Sequence, residues 1–554
     1  MERKREIAGL FLLIVIIGLF YSKILNGFFV QDEWYGFGWY LLHKDLNLLE
    51  SVKFFFAPDI GHYNPLTNVI TSLLFFRWGV DYARFAIIGA ILHLSVSLAL
   101  YFLAKIIFKG NRFLAFFTAL IFGILASPYQ GVAWVVTNIA TLSSSFLGII
   151  SAILFFTFLN AKRSHFLVWS LFFLLVSLLF KEITIGLFPL FFVLCMIRTS
   201  GQVKRKSTLL ISFFTGGYTL LRVAMFFMPH QVTSSLVGKS SPIGIVAYNF
   251  VTLPLKSLSQ TIISPEFMKT VSLDLAELFP VAVTGIPGSP EFEMFAVERI
   301  MEMMTLVVGL GLIIMGLFVL LKRKRRDFRD SIPLGLGWVA LNSLVFSISP
   351  GVYRPIFVVD SRNLYFVSAG VAIFLVGLLK LLTGGRLKTL LVVVAGILTL
   401  NAYWLNSNVS NFVRAGIARR NILEKITRSY PKLPPKVIFF ITSNSSYYGL
   451  PAEEKILPFQ SGFGQTLLIY YSQNEKFPRD FYPGDFLWEI RSQGYQEHGD
   501  RGFGYFRDIK KLKEILKIYK LSPNSVISFS WNSNVGELTD ISDRIRRELY
   551  GTYQ

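Results

Sequence analysis

IAGLFLLIVIIGLFY, residues 7–21, runs without a charge and follows Arg3, Lys4 and Arg5. A membrane span needs roughly 20 predominantly apolar residues, so this stretch has the form of either a first span or a signal peptide. No small-x-small cleavage signal comes after it, and many further apolar runs do, so it reads as a retained span. Continuing outward, eleven candidate spans lie near 7–22, 84–105, 113–128, 136–160, 165–180, 183–198, 208–228, 300–321, 331–349, 364–384 and 387–405. The composition agrees. Of 554 residues 53% are hydrophobic and 16% charged, where a soluble domain sits nearer one quarter charged. The net charge of +21 is dispersed in short clusters between apolar runs, which indicates topology rather than a nucleic-acid surface. Cys195, the single cysteine, lies inside an apolar run and excludes a disulfide framework or thiol metal site.

The positive-inside rule orders these spans. With the N-terminus in the cytoplasm, the inner loops carry Lys105/Lys109/Arg112, Lys162/Arg163, Arg198/Lys204/Arg205/Lys206, Lys322 to Arg326 with Arg329, and Arg386/Lys388. The opposite side of the membrane domain collects acids: Asp32, Glu33, Asp45, Glu50, Asp59, Glu182, Glu291, Glu293 and Asp360. An odd span count then places the C-terminus outside. The expected architecture is an α-helical polytopic membrane domain, 1–405, followed by a small extracytoplasmic α/β domain, 406–554. In the latter, strand-like runs at Val437 to Thr442 and Ser525 to Ser530 flank a helix near Ile509 to Tyr519.

Ionisable groups at a membrane boundary are expensive unless paired or used, and four sets stand out, all on the outer side. Asp32-Glu33 lies within Phe28-Phe29-Val30-Gln31-Asp32-Glu33-Trp34 and can supply a base or share a divalent cation. His62-Tyr63-Asn64-Pro65-Leu66 opens a short amphipathic run. Lys181-Glu182 joins two spans with almost no loop. Tyr353-Arg354-Pro355 precedes Asp360-Ser361-Arg362-Asn363-Leu364-Tyr365 at the head of a late span, where an Arg can make a forked contact to phosphate.

In order and sidedness these motifs resemble the GT-C glycosyltransferases, specifically the protein O-mannosyltransferase-like branch. Ser127-Pro128, Val132-Ala133-Trp134 and Asn138-Ile139 are further echoes. The chain departs from that pattern at Asn64, where an Arg is common, and at Asn363, where a Tyr is common. The resemblance implies an inverting transfer of a mannose-like hexose or pentose from a polyprenyl-phosphate donor to a hydroxyl on a glycan, lipid or protein acceptor. It makes Asp32 the base with Glu33 in support, and it assigns Lys181, Glu182, Arg362, Tyr365 and Arg354 to the donor phosphate. His62, Tyr63 and Asn64 would position the acceptor. A Mg²⁺ or Mn²⁺ ion at Asp32 and Glu182 is compatible but not demanded, since Lys181 and Arg362 carry the needed charge. A lipid or glycan transporter, or a glycan polymerase or ligase, is the rival reading. A transporter would show repeated or Gly/Pro-broken spans, and neither is present in the sequence.

Overall fold

The computed structural model describes residues 2–57, 63–227, 242–278, 290–322, 330–348, 355–384, 386–445, 455–459, 461–482 and 486–553. His62, Tyr353 and Arg354 lie outside the described residues. The helices in chain order are α1 Glu2–Tyr21, α2 Asp32–Leu42, α3 Leu48–Phe55, α4 Pro65–Trp78, α5 Tyr82–Ile107, α6 Arg112–Ile124, α7 Gln130–Ala133, α8 Val135–Ala161, α9 Ser164–Phe180, α10 Leu187–Arg198 and α11 Gly201–Phe227. There follow α12 Ile243–Ile262, α13 Pro265–Leu278, α14 Pro290–Lys322, α15 Ser331–Ser343, α16 Ser361–Leu382 and α17 Leu387–Ser429. The last part holds β1 Lys436–Ser443, α18 Phe463–Tyr471, β2 Gly494–His498, β3 Arg501–Phe506, α19 Ile509–Ile518, β4 Val526–Asn532, β5 Glu537–Asp540 and α20 Ser542–Tyr553.

Each of the eleven expected spans falls on a helix, but the helices are not equal. Among the described residues seven are long and apolar enough to cross a membrane, while Arg112–Ile124, Ser164–Phe180 and Ser331–Ser347 are apolar and shorter. The run expected at 183–198 is helical only from Leu187, after a 3₁₀ turn at Glu182–Thr184. At 1.5 Å per residue its twelve residues rise by about 18 Å, short of a hydrocarbon core of about 30 Å.

The chain divides into two compact units. One comprises Met1–Lys23, Phe56–Thr67 and Ala86–Ser410; the other comprises Ile24–Phe55, Asn68–Phe85 and Asn411–Gln554. The division therefore falls inside α17, at Ser410 rather than after Leu405, because α17 continues unbroken to Ser429. The second unit also takes in α2, α3 and most of α4, which the sequence places with the membrane domain.

In the helical unit, the basic junctions gather at one end. Lys105 and Arg112 pair with Glu6 at 2.5 and 3.2 Å. Lys162 Nζ donates to the Arg198 carbonyl at 3.2 Å, and Arg198 pairs with Asp330 at 2.6 Å. At the centre lies α16, almost wholly buried. It packs on α15 through small residues, which let helices approach closely where both sides are apolar. The Trp338 indole donates to the Phe366 carbonyl at 2.9 Å across this contact.

In the other unit the sheet order is β2-β3-β1-β4-β5, with β3, β1 and β4 parallel and the edge strands antiparallel. The expected strands and helix are β1, β4 and α19. Alternation along β1 sends Ile438 and Phe440 to the face covered by α19 and α20. Phe439 turns the other way, towards Tyr471 and Phe503.

A Cβ at Gly335 would sit 2.7 Å from the Gly370 carbonyl oxygen and the Phe374 backbone nitrogen, whereas at Gly337 it meets only Leu190 Cδ1 at 3.4 Å. Ala is intrinsically the better helix former at both positions. Gly335→Ala is expected to cost about 1–3 kcal/mol through overpacking, read as a lower thermal midpoint in detergent, with Gly337→Ala near wild type. Equal midpoints for the two variants would refute the close α15–α16 contact.

Candidate functional site

Lys181 leaves α9 in extended conformation, with φ −169° and ψ 144°. α8 holds it twice, one turn apart: Ser144 Oγ donates to the Lys181 carbonyl at 2.8 Å, and Lys181 Nζ donates to Thr141 Oγ1 at 3.1 Å. The next link comes from Thr67, at the start of α4, whose hydroxyl donates to the Phe180 carbonyl at 2.9 Å. The Tyr63 to Thr67 motif is thereby tied to the end of α9. Tyr63 is buried and Asn64 half-buried, and the Arg222 guanidinium lies over the Tyr63 ring at 5.7 Å. Tyr218, one turn from Arg222, is within electrostatic reach of Arg222, Glu182 and Tyr63.

Arg362 joins this cluster from α16. Its guanidinium lies 4.8 Å from the centre of the Trp134 ring, within cation–π range, and pairs with Asp360 at 3.3 Å. Lys181 feels Arg362, Glu182 and Asp360. Burial chiefly, and then the neighbouring Arg362, push the Lys181 ammonium down to about 8. Residues from five separate stretches of sequence, at 63, 134, 181–182, 222 and 360–362, are thus assembled around an excess of positive charge.

Tyr365 is placed differently from Arg362. It is fully buried, and its hydroxyl lies 2.6 Å from His93 Nδ1. His93 Nε2 faces the Gly123 carbonyl at 3.2 Å, which can only accept, so Nε2 carries the proton and Nδ1 accepts from Tyr365. Tyr365 therefore locks α16 to α5 and α6, whereas the resemblance expected it on the donor phosphate. Ser361 fixes the head of α16: its hydroxyl donates to the Ser127 carbonyl and accepts from Gln130 N at 3.1 Å.

The strap Pro355 to Asp360, which delivers Arg362, is held by residues that the sequence reading did not single out. Asn249, Lys256 and Gln260 lie on one face of α12, at i, i+7 and i+11. Asn249 Oδ1 accepts from Ile356 N at 3.0 Å, and Lys256 Nζ donates to Ile356 O at 2.7 Å. The Gln260 amide both donates to Phe357 O and accepts from Val359 N, each at 2.8 Å. Lys256 is fully buried and paired with Glu302 at 2.6 Å, and Tyr248 adds a hydrogen bond to the same carboxylate oxygen at 2.7 Å. The legible signal was a lysine and a glutamine on one helical face of an otherwise apolar run.

Asp32 and Glu33 belong to the other compact unit, and the structure gives them different surroundings. Both open α2, where the helix dipole favours negative charge. Glu33 is buried, and its Oε2 accepts from Val30 N at 3.3 Å and Gln31 N at 3.0 Å. Around it stand Phe29, Trp34 and Phe37, with Tyr82 in electrostatic reach of both Glu33 and Arg419. Arg419 in turn donates to the Phe29 carbonyl at 3.0 Å. Asp32 is half-buried. Among the described residues no three His, Cys, Asp or Glu side chains gather as a metal set, and the two acids expected as ligands, Asp32 and Glu182, fall in separate units.

No protein-family model matches the chain, and no curated protein sequence does. Among solved structures it is similar to the Archaeoglobus fulgidus oligosaccharyltransferase in complex with Zn and sulfate, with 15% identity and a TM-score of 0.40 over 83% of this chain and 61% of that one. The apo form of that enzyme gives 14% identity and a TM-score of 0.38 over 72% and 56% of the two chains. ArnT from Cupriavidus metallidurans in the apo state gives 14% and 0.34 over 95% and 93%. The chain spans about three fifths of the oligosaccharyltransferase it matches. Likenesses this distant carry no argument about activity.

The split between the two carboxylates is testable by stability alone. Glu33→Gln weakens two backbone caps inside a buried cage and is expected to cost about 1.5–3 kcal/mol, as for hydrogen bonds to a charged group. Asp32→Asn should stay within about 0.5 kcal/mol of wild type. Thermal midpoints measured side by side decide, and the reverse order would overturn the assignment.

Proposed function

We propose that the chain is a membrane glycosyltransferase of the GT-C type, moving a sugar from a polyprenyl-phosphate donor to an acceptor hydroxyl with inversion. The observation that carries this reading is the pairing of Lys181 with Arg362, two cations kept within electrostatic reach at helix ends. Such a pair is stabilised by an anion between them, and a donor's phosphate at the membrane interface is one. Asp32 takes the acceptor proton. The freed oxygen attacks the anomeric carbon, and the bond from that carbon to the phosphate oxygen breaks. The electron pair leaves with polyprenyl phosphate, whose charge Lys181 and Arg362 stabilise. Attack opposite the leaving group inverts the anomeric centre. In this reading the basic end of the helical unit is cytoplasmic, and the reaction and the C-terminal domain lie outside. The protein O-mannosyltransferase-like branch, and thus a mannose-like sugar, rests on the sequence motifs.

Asp32→Asn keeps shape and removes the base, so transfer should fall by about 10²–10⁴ in purified protein assayed in lipid with radiolabelled polyprenyl-phosphate sugars. Turnover near wild type in the folded variant would remove Asp32 from the mechanism.

On the donor side, Lys181→Ala and Arg362→Ala should each raise donor KM about 10- to 100-fold, as for the loss of a charged hydrogen bond, with acceptor KM unchanged. The pH dependence follows from Lys181. An ammonium lowered to about 8 is charged below that pH and loses its charge as pH rises through it. Donor kcat/KM should therefore fall above about pH 8, and Lys181→Arg, which stays charged, should flatten that limb. An unchanged limb in Lys181→Arg would assign it to another group.

A further inference from the structure

We infer that the outer face of α19, in the sheet-bearing unit, is a docking surface for an acidic glycan, a linear sugar polymer carrying regularly spaced anionic groups. In the glycosyl-transfer reading, on which this assignment rests, the domain lies outside and the polymer is the acceptor. None of the residues assigned above takes part.

The apolar residues of α19 are committed to the sheet. Leu512 and Leu516 are fully buried with Ile438, Phe440 and Val526, and Ile509 and Ile515 pack beside them. The opposite side presents lysines: Lys510, Lys511, Lys517 and Lys520 are exposed and Lys513 is half-buried. Lys513 pairs with Glu548 at 3.6 Å, and among the described residues the other four make no ion pair. Glu514 is the one acid between Ile509 and Ile518. Lys510, Lys513 and Lys517 stand at i, i+3 and i+7, on one side of the helix, with rises of about 4.5 and 6 Å between them, comparable to the length of one sugar residue. Lys520 follows three residues on, where the helix closes. Leu521 N donates to the Leu516 carbonyl at 2.9 Å, and Lys520 takes the left-handed conformation, φ 51°, at the position that strongly favours glycine. A lysine kept there against the backbone preference is a sign that its ammonium is used.

The charge selects an anionic partner, and the form of the surface selects its class. A helix that binds a membrane surface inserts an apolar face. That face of α19 is buried, leaving only Ile518 and, just past it, Tyr519 exposed. A protein interface has an apolar or aromatic centre and is depleted in lysine, the reverse of what α19 shows. A charged polymer needs neither, since a row of cations and the counterions it releases suffice to hold it. A polymer tethered in this way presents its hydroxyls at raised local concentration.

The test titrates the full chain, purified in a non-ionic detergent, with fluorescein-labelled polygalacturonate and follows anisotropy, with labelled dextran as the uncharged control. Polygalacturonate should bind and dextran should not, and the affinity should fall with added salt. Lys510→Gln/Lys517→Gln should weaken binding by about 2- to 30-fold, the worth of two exposed ion pairs. Lys520→Gly separates the residue's two effects: the thermal midpoint should rise as the left-handed lysine is relieved, while affinity falls by about 1.5- to 5-fold. Equal affinity for the two polysaccharides, or binding unchanged in Lys510→Gln/Lys517→Gln, overturns the assignment. So does binding confined to phosphatidylglycerol vesicles or to a single-stranded oligonucleotide offered in place of the polysaccharide. Binding is read without turnover, so a chain that holds polygalacturonate yet transfers no sugar in the radiolabel assay keeps the docking surface and loses the transfer reading.

Discussion

Lys181 and Arg362 repel each other, and the helical unit is organised to hold them together. Their repulsion is offset locally by Glu182, by the Asp360 carboxylate and by the face of Trp134. Those contacts act only if the backbones bearing the two cations cannot drift apart. On one side, α8 grips Lys181 by its carbonyl and its ammonium. On the other, Ser361 and Tyr365 pin α16 to the rest of the bundle above and below Arg362. Polar bonds of this kind are placed where an apolar interior leaves their partners no alternative.

The strap before Arg362 extends the same logic. An extended segment has no internal hydrogen bonds, so its peptide groups need partners from elsewhere when buried. Asn249, Lys256 and Gln260 supply four of them along a single helix face. Lys256 cannot be buried without a counter-charge, and Glu302 is that counter-charge. Between these polar rungs Leu253 packs against Val359 and Leu364. One helix, α12, therefore sets the approach of the chain to Arg362 through both its polar and its apolar residues.

The apolar runs and charge clusters located all seven helices that, among the described residues, are long and apolar enough to span, because spanning lengths and basic junctions follow directly from the cost of burying charge. The twenty-residue α12, which carries several polar residues, was not among them. The same reasoning picked out Lys181, Glu182 and Arg362, each at an end of an apolar helix. It did not single out Arg222 and Lys256, which lie within helices rather than at their ends. The compact units divide within α17, five residues past the expected boundary at Leu405, for a related reason. Apolar character ends near Leu405, but helix does not, and α17 carries Arg419 into the other unit to meet Phe29. Tyr365 sits three residues after Arg362 on the same helix, yet it lies in the dry interior because α16 is buried almost all round.

Asp32 and Glu33 show how far adjacency in sequence is from equivalence in a fold. Neighbours on a helix point about 100° apart. Glu33 therefore shares its face with Phe37 and Tyr40, at i+4 and i+7, and all three are buried. Asp32 lies on the face of Tyr35 and Trp39, which are half-buried. The apolar spacing already contains this distinction, since a carboxylate in register with two buried aromatics must turn inward and find donors there. Glu33 finds them in the backbone of Val30 and Gln31, the two residues that lead into Asp32. Glu33 thereby fixes the turn from which Asp32 leaves.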